Sequence, residues 1–336
     1  MSLIRVGVIG CGFMGRHHAR VYSELPGVKL LATVDVLEEK AKEAAKEFGA
    51  EKWYTDYHEL LARSDIDAVS IVVPDHLHRD PTVEAAKAGK AVLLEKPIAT
   101  TLEDADAIIG AVKRAGIPFL VGHILRFDYR YAKAKERVED GSIGDPVSIW
   151  ARRNNAVTSP KRYPWLGKTS PLLFLGVHDI DAMRWVIGSD IERVYAEAES
   201  RIFRNLGVED AVWALLKFKG GTVGALETVW ILPTTMPLTL DSKFELIGTK
   251  GSLWISYPGN EFSFCGEGTQ ETFLHYWPVV HGQLKGYLRD EIVHFINCVE
   301  GREEPLISAD DARAAVETAL AMHRSLKEGK PVGLPL

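Results

Sequence analysis

One run, Gly10-Cys11-Gly12-Phe13-Met14-Gly15, constrains this chain more than any other. It follows an apolar stretch over residues 3–9, short enough for a strand, and precedes a segment of helical composition. In that setting each glycine has its own duty. The first makes a tight turn, the second lets the backbone approach a pyrophosphate, and the third lets helix and strand pack closely. A second strand-type run, Leu30 to Val34, ends in Asp35, twenty residues beyond Gly15. A carboxylate there accepts hydrogen bonds from both ribose hydroxyls of an adenosine and repels a 2′-phosphate, and Val36 and Leu37 bring no arginine to hold one. The expectation is NAD rather than NADP, held by Gly10, Gly12, Phe13, Met14, Gly15 and Asp35.

The alternation continues. A helix of alanine, glutamate and lysine over Glu38–Phe48 stops at Gly49, a C-terminal cap residue. Residues 68–73 form an apolar strand, and Asp80-Pro81 suits an N-cap and first helical position. Gly89 ends that helix before a strand over 91–95. Thr101 with Asp104 forms a capping box ahead of a helix reaching Ala115, and residues 118–121 supply one more strand. Repeated βα units predict a Rossmann-type, doubly wound parallel sheet over residues 1–122.

Beyond residue 123 the pattern becomes one of hairpins, with runs 208–218 and 222–231 around Gly220-Gly221 and runs 243–248 and 252–257 around Thr249-Lys250-Gly251. Such short connections demand antiparallel pairing. Residues 123–336 are therefore expected to form an α+β domain on a large, mostly antiparallel open sheet. Two helices, about 284–299 and 309–328, close the chain, the latter capped by Ser308 and stopped by Gly329.

A length of 336 residues suits two cores, and a net charge of -6 gives no footprint for nucleic acid or an anionic membrane. Cys11, Cys265 and Cys298 are too far apart for a zinc site or a CxxC pair, and no apolar run approaches membrane-spanning length. A soluble protein in the reducing cytoplasm is expected.

Three stretches carry candidate chemistry. Val92-Leu93-Leu94-Glu95-Lys96-Pro97 is a buried-type strand that ends in an acid, a base and a proline, and the proline keeps Lys96 out of the α region. In open α/β sheets the carboxyl ends of strands face the ligand. The helix containing His178, Asp179, Ile180, Asp181, Met183 and Trp185 separates Ile180, Met183 and Ile187 on one side from His178, Asp181 and Trp185 on the other, which brings a carboxylate to a histidine. The loop Val73-Pro74-Asp75-His76-Leu77-His78 leaves a strand at its carboxyl end. Its two histidines lack a third metal ligand at a recognisable spacing, so Pro74 and His78 are assigned to lining a nicotinamide and no metal is expected. His17 and His18 read as surface residues or phosphate neighbours without a role. Arg126, in Arg126-Phe127-Asp128-Tyr129-Arg130, serves either a hinge helix or a substrate.

Several of these motifs together resemble the Gfo/Idh/MocA family, whose members include glucose–fructose oxidoreductase and inositol dehydrogenase. The resemblance spans the glycine loop, Pro74 with His78, Gly89-Lys90-Ala91-Val92 leading to Glu95-Lys96-Pro97, Arg126-Phe127, Gly144-Asp145-Pro146, and Gly176-Val177-His178-Asp179-Ile180-Asp181. It implies an NAD(P)-dependent oxidoreductase of sugars, cyclic polyols or related alcohols, assembled as a homodimer or homotetramer through the C-terminal sheet. Carried onto this chain, it makes Lys96 and His178 the acid/base pair, with Glu95 acting on Lys96 and on the nicotinamide ribose. Arg126, Arg152, Asn154, Tyr163, Trp165 and Asp181 are the expected substrate contacts. One departure stands out: inositol-dehydrogenase-like sequences carry a carboxylate four residues before the histidine, and here that place is Phe174. Two alternatives therefore stay open, a nucleotide-dependent sensor without turnover and a redox-assisted elimination that cleaves a glycoside with tightly held NAD.

Overall fold

The structure is a computed structural model that describes residues 3–156, 165–236, 240–258, 263–266, 269–272 and 277–336. The chain divides into two compact units. Met1–Ile124 and Tyr276–Arg313 make the first, Leu125–His275 and Ala314–Leu336 the second.

In the first unit, strands β1 (Ile4–Ile9), β2 (Val28–Val34), β3 (Lys52–Tyr54), β4 (Ala68–Ile71), β5 (Ala91–Leu94) and β6 (Phe119–Val121) form a parallel sheet. Its order is 3-2-1-4-5-6, the doubly wound arrangement in which the strand order reverses between β1 and β4. Helices α1 (Phe13–Glu24), α2 (Glu38–Phe48), α3 (Tyr57–Leu61), α4 (Arg79–Lys87) and α5 (Leu102–Ala115) are the crossovers. Strands buried on both faces need unbroken apolar runs, and β4 and β5 are buried at every position. Local signals mark several helix ends. Gly49 takes φ 73° at the C-terminus of α2, and Thr101 accepts a hydrogen bond from the Asp104 N–H at the start of α5. One boundary differs from the sequence reading: α4 begins at Arg79, so Asp80 and Pro81 lie inside its first turn rather than at the cap.

In the second unit, α6 (Tyr129–Glu139) precedes β7 (Pro146–Asn155), α7 (Val177–Ile187), β8 (Ile191–Glu199), β9 (Ala211–Phe218), β10 (Val223–Val229), β11 (Leu240–Gly248) and β12 (Ser252–Tyr257). A short hairpin of β13 (Ser263–Gly266) and β14 (Thr269–Thr272) follows. Then the chain re-enters the first unit with β15 (Val279–Val280), β16 (Gln283–Leu284) and α8 (Tyr287–Val299). Helix α9 (Ala309–Glu328) and β17 (Val332–Gly333) complete the chain. The large sheet runs β12-β11-β7-β10-β9-β8-β17 and is antiparallel except where β10 lies parallel to β7.

The expected single boundary at 122/123 is therefore incomplete. Segment Tyr276–Arg313 belongs with the first unit because α8 lays Leu288, Ile292 and Phe295, each 0% exposed, against α1 and β5. A boundary drawn from composition cannot see a helix that returns to an earlier core. Among the described residues, no helix is long and apolar enough to cross a membrane.

Candidate active site

The carboxyl edge of the parallel sheet gathers the predicted nucleotide residues of the first unit. Gly10 follows β1 with φ 97°, and a Cβ there would lie 2.4 Å from the Val72 carbonyl oxygen. A Cβ on Gly15 would lie 1.8 Å from the Gly10 carbonyl oxygen, so this glycine is what lets α1 pack on the turn. Gly12 is the opposite case: nothing lies within 4 Å of its would-be Cβ. The three glycines thus divide their duties as turn, open approach and close packing, which is what a pyrophosphate at a helix N-terminus requires. Phe13 is half exposed and Met14 partly buried beside this opening.

Asp35, at the end of β2, accepts hydrogen bonds from the Cys11 N–H (2.9 Å) and the Leu37 N–H (2.9 Å) through different carboxylate oxygens. Those bonds aim the side chain beside the glycine loop and leave each oxygen further lone pairs for a ribose. Val36 and Leu37 are exposed next to it. Cys11 is buried within the loop, and burial pushes its thiol up to about 12, so it takes no part as a nucleophile. These residues fit a dinucleotide.

At the end of β5, Glu95 and Lys96 are partly buried, and the Lys96–Pro97 peptide is cis. Glu95 accepts a hydrogen bond from His18 Nε2 (3.1 Å) and one from the Lys96 backbone N–H (3.2 Å). Burial raises this carboxyl, but the His18 hydrogen bond and then the electrostatic pull of His18, Lys96 and His78 outweigh it, and the net shift is downward. Glu95 is therefore an anion next to Lys96.

His18, without a role in the sequence reading, is buried and pairs with both Glu95 and Ser70. A signal for this existed: Gly15, His18, Ala19 and Tyr22 are the buried face of α1, at helical spacing. Glu291 was missed in the same way. It falls with Leu288, Ile292 and Phe295 on the buried face of α8.

His78, expected to line the nicotinamide, is buried inside the first unit. It is 1% exposed, with Nδ1 2.7 Å from the Pro97 carbonyl oxygen and Nε2 3.0 Å from that of Val73. Burial pushes the imidazole below its ordinary value, against the pull of Asp75 and the two carbonyls. The ring ties the Pro74 loop to the turn after Lys96 and so positions that turn. Pro74 itself starts the single turn Asp75–Leu77 and is partly buried.

In the second unit, His178 sits in the first turn of α7 and is partly exposed, while Asp179 and Asp181 beside it are 0% exposed. Arg126 binds Asp181 through two hydrogen bonds (2.9 and 2.7 Å), and Arg153 binds Asp179 likewise (2.7 and 3.1 Å). Arg126 also lies 5.5 Å from the centre of the Trp185 ring. The expectation that Arg126 and Asp181 touch substrate is corrected by this burial: each neutralises the other inside the unit and together they brace α7. Helical periodicity placed Asp181 away from Ile180 but could not reveal that its face is covered.

Asn154 is corrected too. It is buried and donates to Glu227 (2.7 Å). Because neighbouring strand residues point to opposite faces and Arg153 reaches α7, Asn154 points to the other side of the sheet from His178. Arg152 shares that side, paired with Asp241 and stacked over Trp150. Trp165 is partly exposed, its ring 5.7 Å from that of Phe174. Phe174 in turn packs toward Trp230 (6.3 Å), in a cluster with Leu166, Leu175, Phe203 and Val208. The place one turn before His178 is thus an aromatic cluster. Tyr163 lies outside the described residues.

Comparison with known proteins agrees with both units. Residues 4–123 match the model of the oxidoreductase family with NAD-binding Rossmann fold, and residues 131–254 match that of the GFO/IDH/MocA C-terminal domain. The chain belongs to the GFO/IDH/MocA oxidoreductase family. It is 31% identical to the scyllo-inositol 2-dehydrogenase (NAD(+)) of Bacillus subtilis, over 98% of this chain and 96% of the relative. Identity to the myo-inositol 2-dehydrogenase of Thermotoga maritima is 29%, over 98% of each. Among solved structures, scyllo-inositol dehydrogenase of Lactobacillus casei with bound NAD(H) and scyllo-inositol superposes with a TM-score of 0.85 at 25% identity, over 99% of each chain. This GFO/IDH/MocA member is accordingly an enzyme, an oxidoreductase acting on CH–OH groups.

Proposed function

We propose that this enzyme transfers a hydride between NAD and the CH–OH carbon of a sugar or cyclic polyol of the inositol kind, with Lys96 and His178 as the acid/base pair. The observation that carries the reading is the open approach at Gly12 between two glycines that tolerate no side chain, with the Asp35 carboxylate fixed beside it and Glu95-Lys96 on the same sheet edge. NAD, when bound, accepts or returns the hydride. Gly10, Gly12 and Gly15 admit its pyrophosphate, and Asp35 prefers a free 2′-hydroxyl to a phosphate for reasons of charge. NAD is favoured over NADP for that reason.

A hydride leaves a carbinol carbon only as the hydroxyl proton is removed, so a base must reach that oxygen. Lys96, beside the anionic Glu95, is suited to hold positive charge against a developing alkoxide. His178, partly exposed at the start of α7, is suited to take or return the proton. With Phe174 in an aromatic cluster, the proton transfer at α7 falls to His178 itself. The inositol class is supported by the named relatives, and Phe174 argues for a polyol or sugar that asks for no carboxylate at that place. Incubation with NAD and a panel of inositols, pyranoses and their dehydrated forms should yield NADH absorbance, and Lys96→Ala should remove it. Tight NAD binding with no turnover across the panel would oppose the reading.

The open face of the large sheet supports self-association. Trp213, Leu215 and Trp254 are each more than half exposed there, while their strand neighbours Val212, Ala214, Leu216 and Ile255 are buried beneath. An apolar face of that kind suits a second copy of the chain. Sedimentation of Trp213→Glu should move toward monomer; an unchanged assembly would oppose this use of the face.

A further inference from the structure

Five polar side chains lie together inside the first unit: Tyr22 and His18 of α1, Ser70 of β4, Glu95 after β5 and Glu291 of α8. Tyr22, His18, Ser70 and Glu291 are each 0% exposed. Four of them form a chain of hydrogen bonds. The Tyr22 hydroxyl meets Ser70 Oγ at 2.7 Å, Ser70 Oγ meets His18 Nδ1 at 3.1 Å, and His18 Nε2 meets Glu95 Oε1 at 3.1 Å.

For a neutral His18 ring, counting protons gives that chain one direction. If Glu95 is a carboxylate, it only accepts, so His18 carries its hydrogen on Nε2. Nδ1 of the neutral ring then accepts from Ser70, whose oxygen accepts from Tyr22, and every donor has one acceptor. The reverse order begins with a protonated Glu95 and ends with Ser70 donating to Tyr22, which leaves the buried Tyr22 O–H with no acceptor among the described residues. A buried orphan donor is costly, so the first order wins.

Glu291 stands outside the chain. Both its carboxyl oxygens are buried without a hydrogen-bond partner among the described residues, and the charge that acts on it is Glu95. Ionised, Glu291 would be an unpaired buried charge acted on by that of Glu95, which costs more than the one unpaired O–H of its neutral form. We propose that the fully buried, unpartnered Glu291 carries a proton, while His18 through its hydrogen bond fixes the negative charge on Glu95, next to Lys96. His18 is then a positioning residue for Lys96, acting through Glu95.

The remaining charged neighbours agree. His78, with Asp75 beside it, acts on Glu95 electrostatically from beyond β4, Lys96 does so from the end of β5, and on α8 Arg289 is turned to Glu24, 3.6 Å away. Burial, and then the Glu95 charge, push the Glu291 carboxyl well above the usual range, while His18, Lys96 and His78 hold Glu95 below it.

The consequence for turnover rests on the proposed role of Lys96; the place of the proton does not. Infrared spectra of the full-length protein above neutral pH should contain the C=O stretch of a protonated carboxylic acid, and that band should vanish in Glu291→Gln. Its absence from the unmodified protein, or its persistence in Glu291→Gln, overturns the assignment whether or not a substrate has been found. For the active enzyme, His18→Ala removes the donor to Glu95 and weakens the anion that favours the Lys96 ammonium. One limb of the kcat–pH profile should then move to lower pH by about one unit. The KM for NAD should stay within about twofold, and His18→Gln, which retains an N–H donor, should restore much of the profile. A profile unmoved by His18→Ala would overturn the link to Lys96.

Discussion

Arg126 grips Asp181 through two parallel hydrogen bonds, Nε to Oδ2 at 2.9 Å and Nη2 to Oδ1 at 2.7 Å, with both side chains buried. Such a pair depends on each partner for neutrality. Asp181→Asn should lower unfolding free energy by about 3–5 kcal/mol, because the buried guanidinium loses a carboxylate that binds it through two hydrogen bonds. Replacing both, Arg126→Met with Asp181→Leu, should recover most of that loss in denaturant titrations. A raised KM at unchanged stability in Asp181→Asn would return the residue to the substrate contacts.

The glycine loop separates folding from binding. Gly15→Ala forces a Cβ onto the Gly10 carbonyl oxygen, at 1.8 Å before relaxation, and should destabilise the first unit. Gly12→Ala meets no protein atom within 4 Å and should fold with ordinary stability. It should nevertheless weaken NAD by about tenfold or more, roughly 1.4 kcal/mol, by filling the space the pyrophosphate needs. Thermal melting and calorimetric titration of the two variants should give this crossed pattern; equal NAD affinity in Gly12→Ala would mean that the cofactor lies elsewhere.

Glu291 predicts a pH signature in stability. Its folded value is raised, so its contribution is fully present below the unfolded carboxyl value of about 4.3 and is lost as pH rises toward the folded value. Glu291→Gln removes that loss. The variant and the unmodified protein should therefore melt alike near pH 4, and the variant should become the more stable as pH increases. A gap that narrows with rising pH would contradict a protonated Glu291.

Phe174 packs between Trp165 and Trp230 and is partly buried. Phe174→Ala should cost about 2–3 kcal/mol, below the range for fully buried phenylalanines. Phe174→Glu should lower the melting temperature further by setting a carboxylate against the cluster. If Phe174→Glu instead gained inositol turnover at full stability, the aromatic ring would be a substrate-facing choice rather than packing.

The sequence by itself determined what depends on neighbours along the chain. Strand, glycine turn, helix and Asp35 follow within a few dozen residues, and their geometry is local, so the nucleotide cradle and the parallel sheet were legible from spacing. Hairpin lengths likewise announced the antiparallel sheet. Only the tertiary structure decided which side chains were covered and by what. Periodicity set His18 and Glu291 on apolar faces of helices whose positions differ by more than 270 residues, but nothing local says that those faces meet around Glu95. It also gave Asp181 a polar side on α7 without showing Arg126 there, and it could not assign Asn154 to the far side of its sheet. Burial and charge pairing arise between distant segments, and they turned two expected substrate contacts into a brace and an overlooked histidine into the partner of the acid beside Lys96.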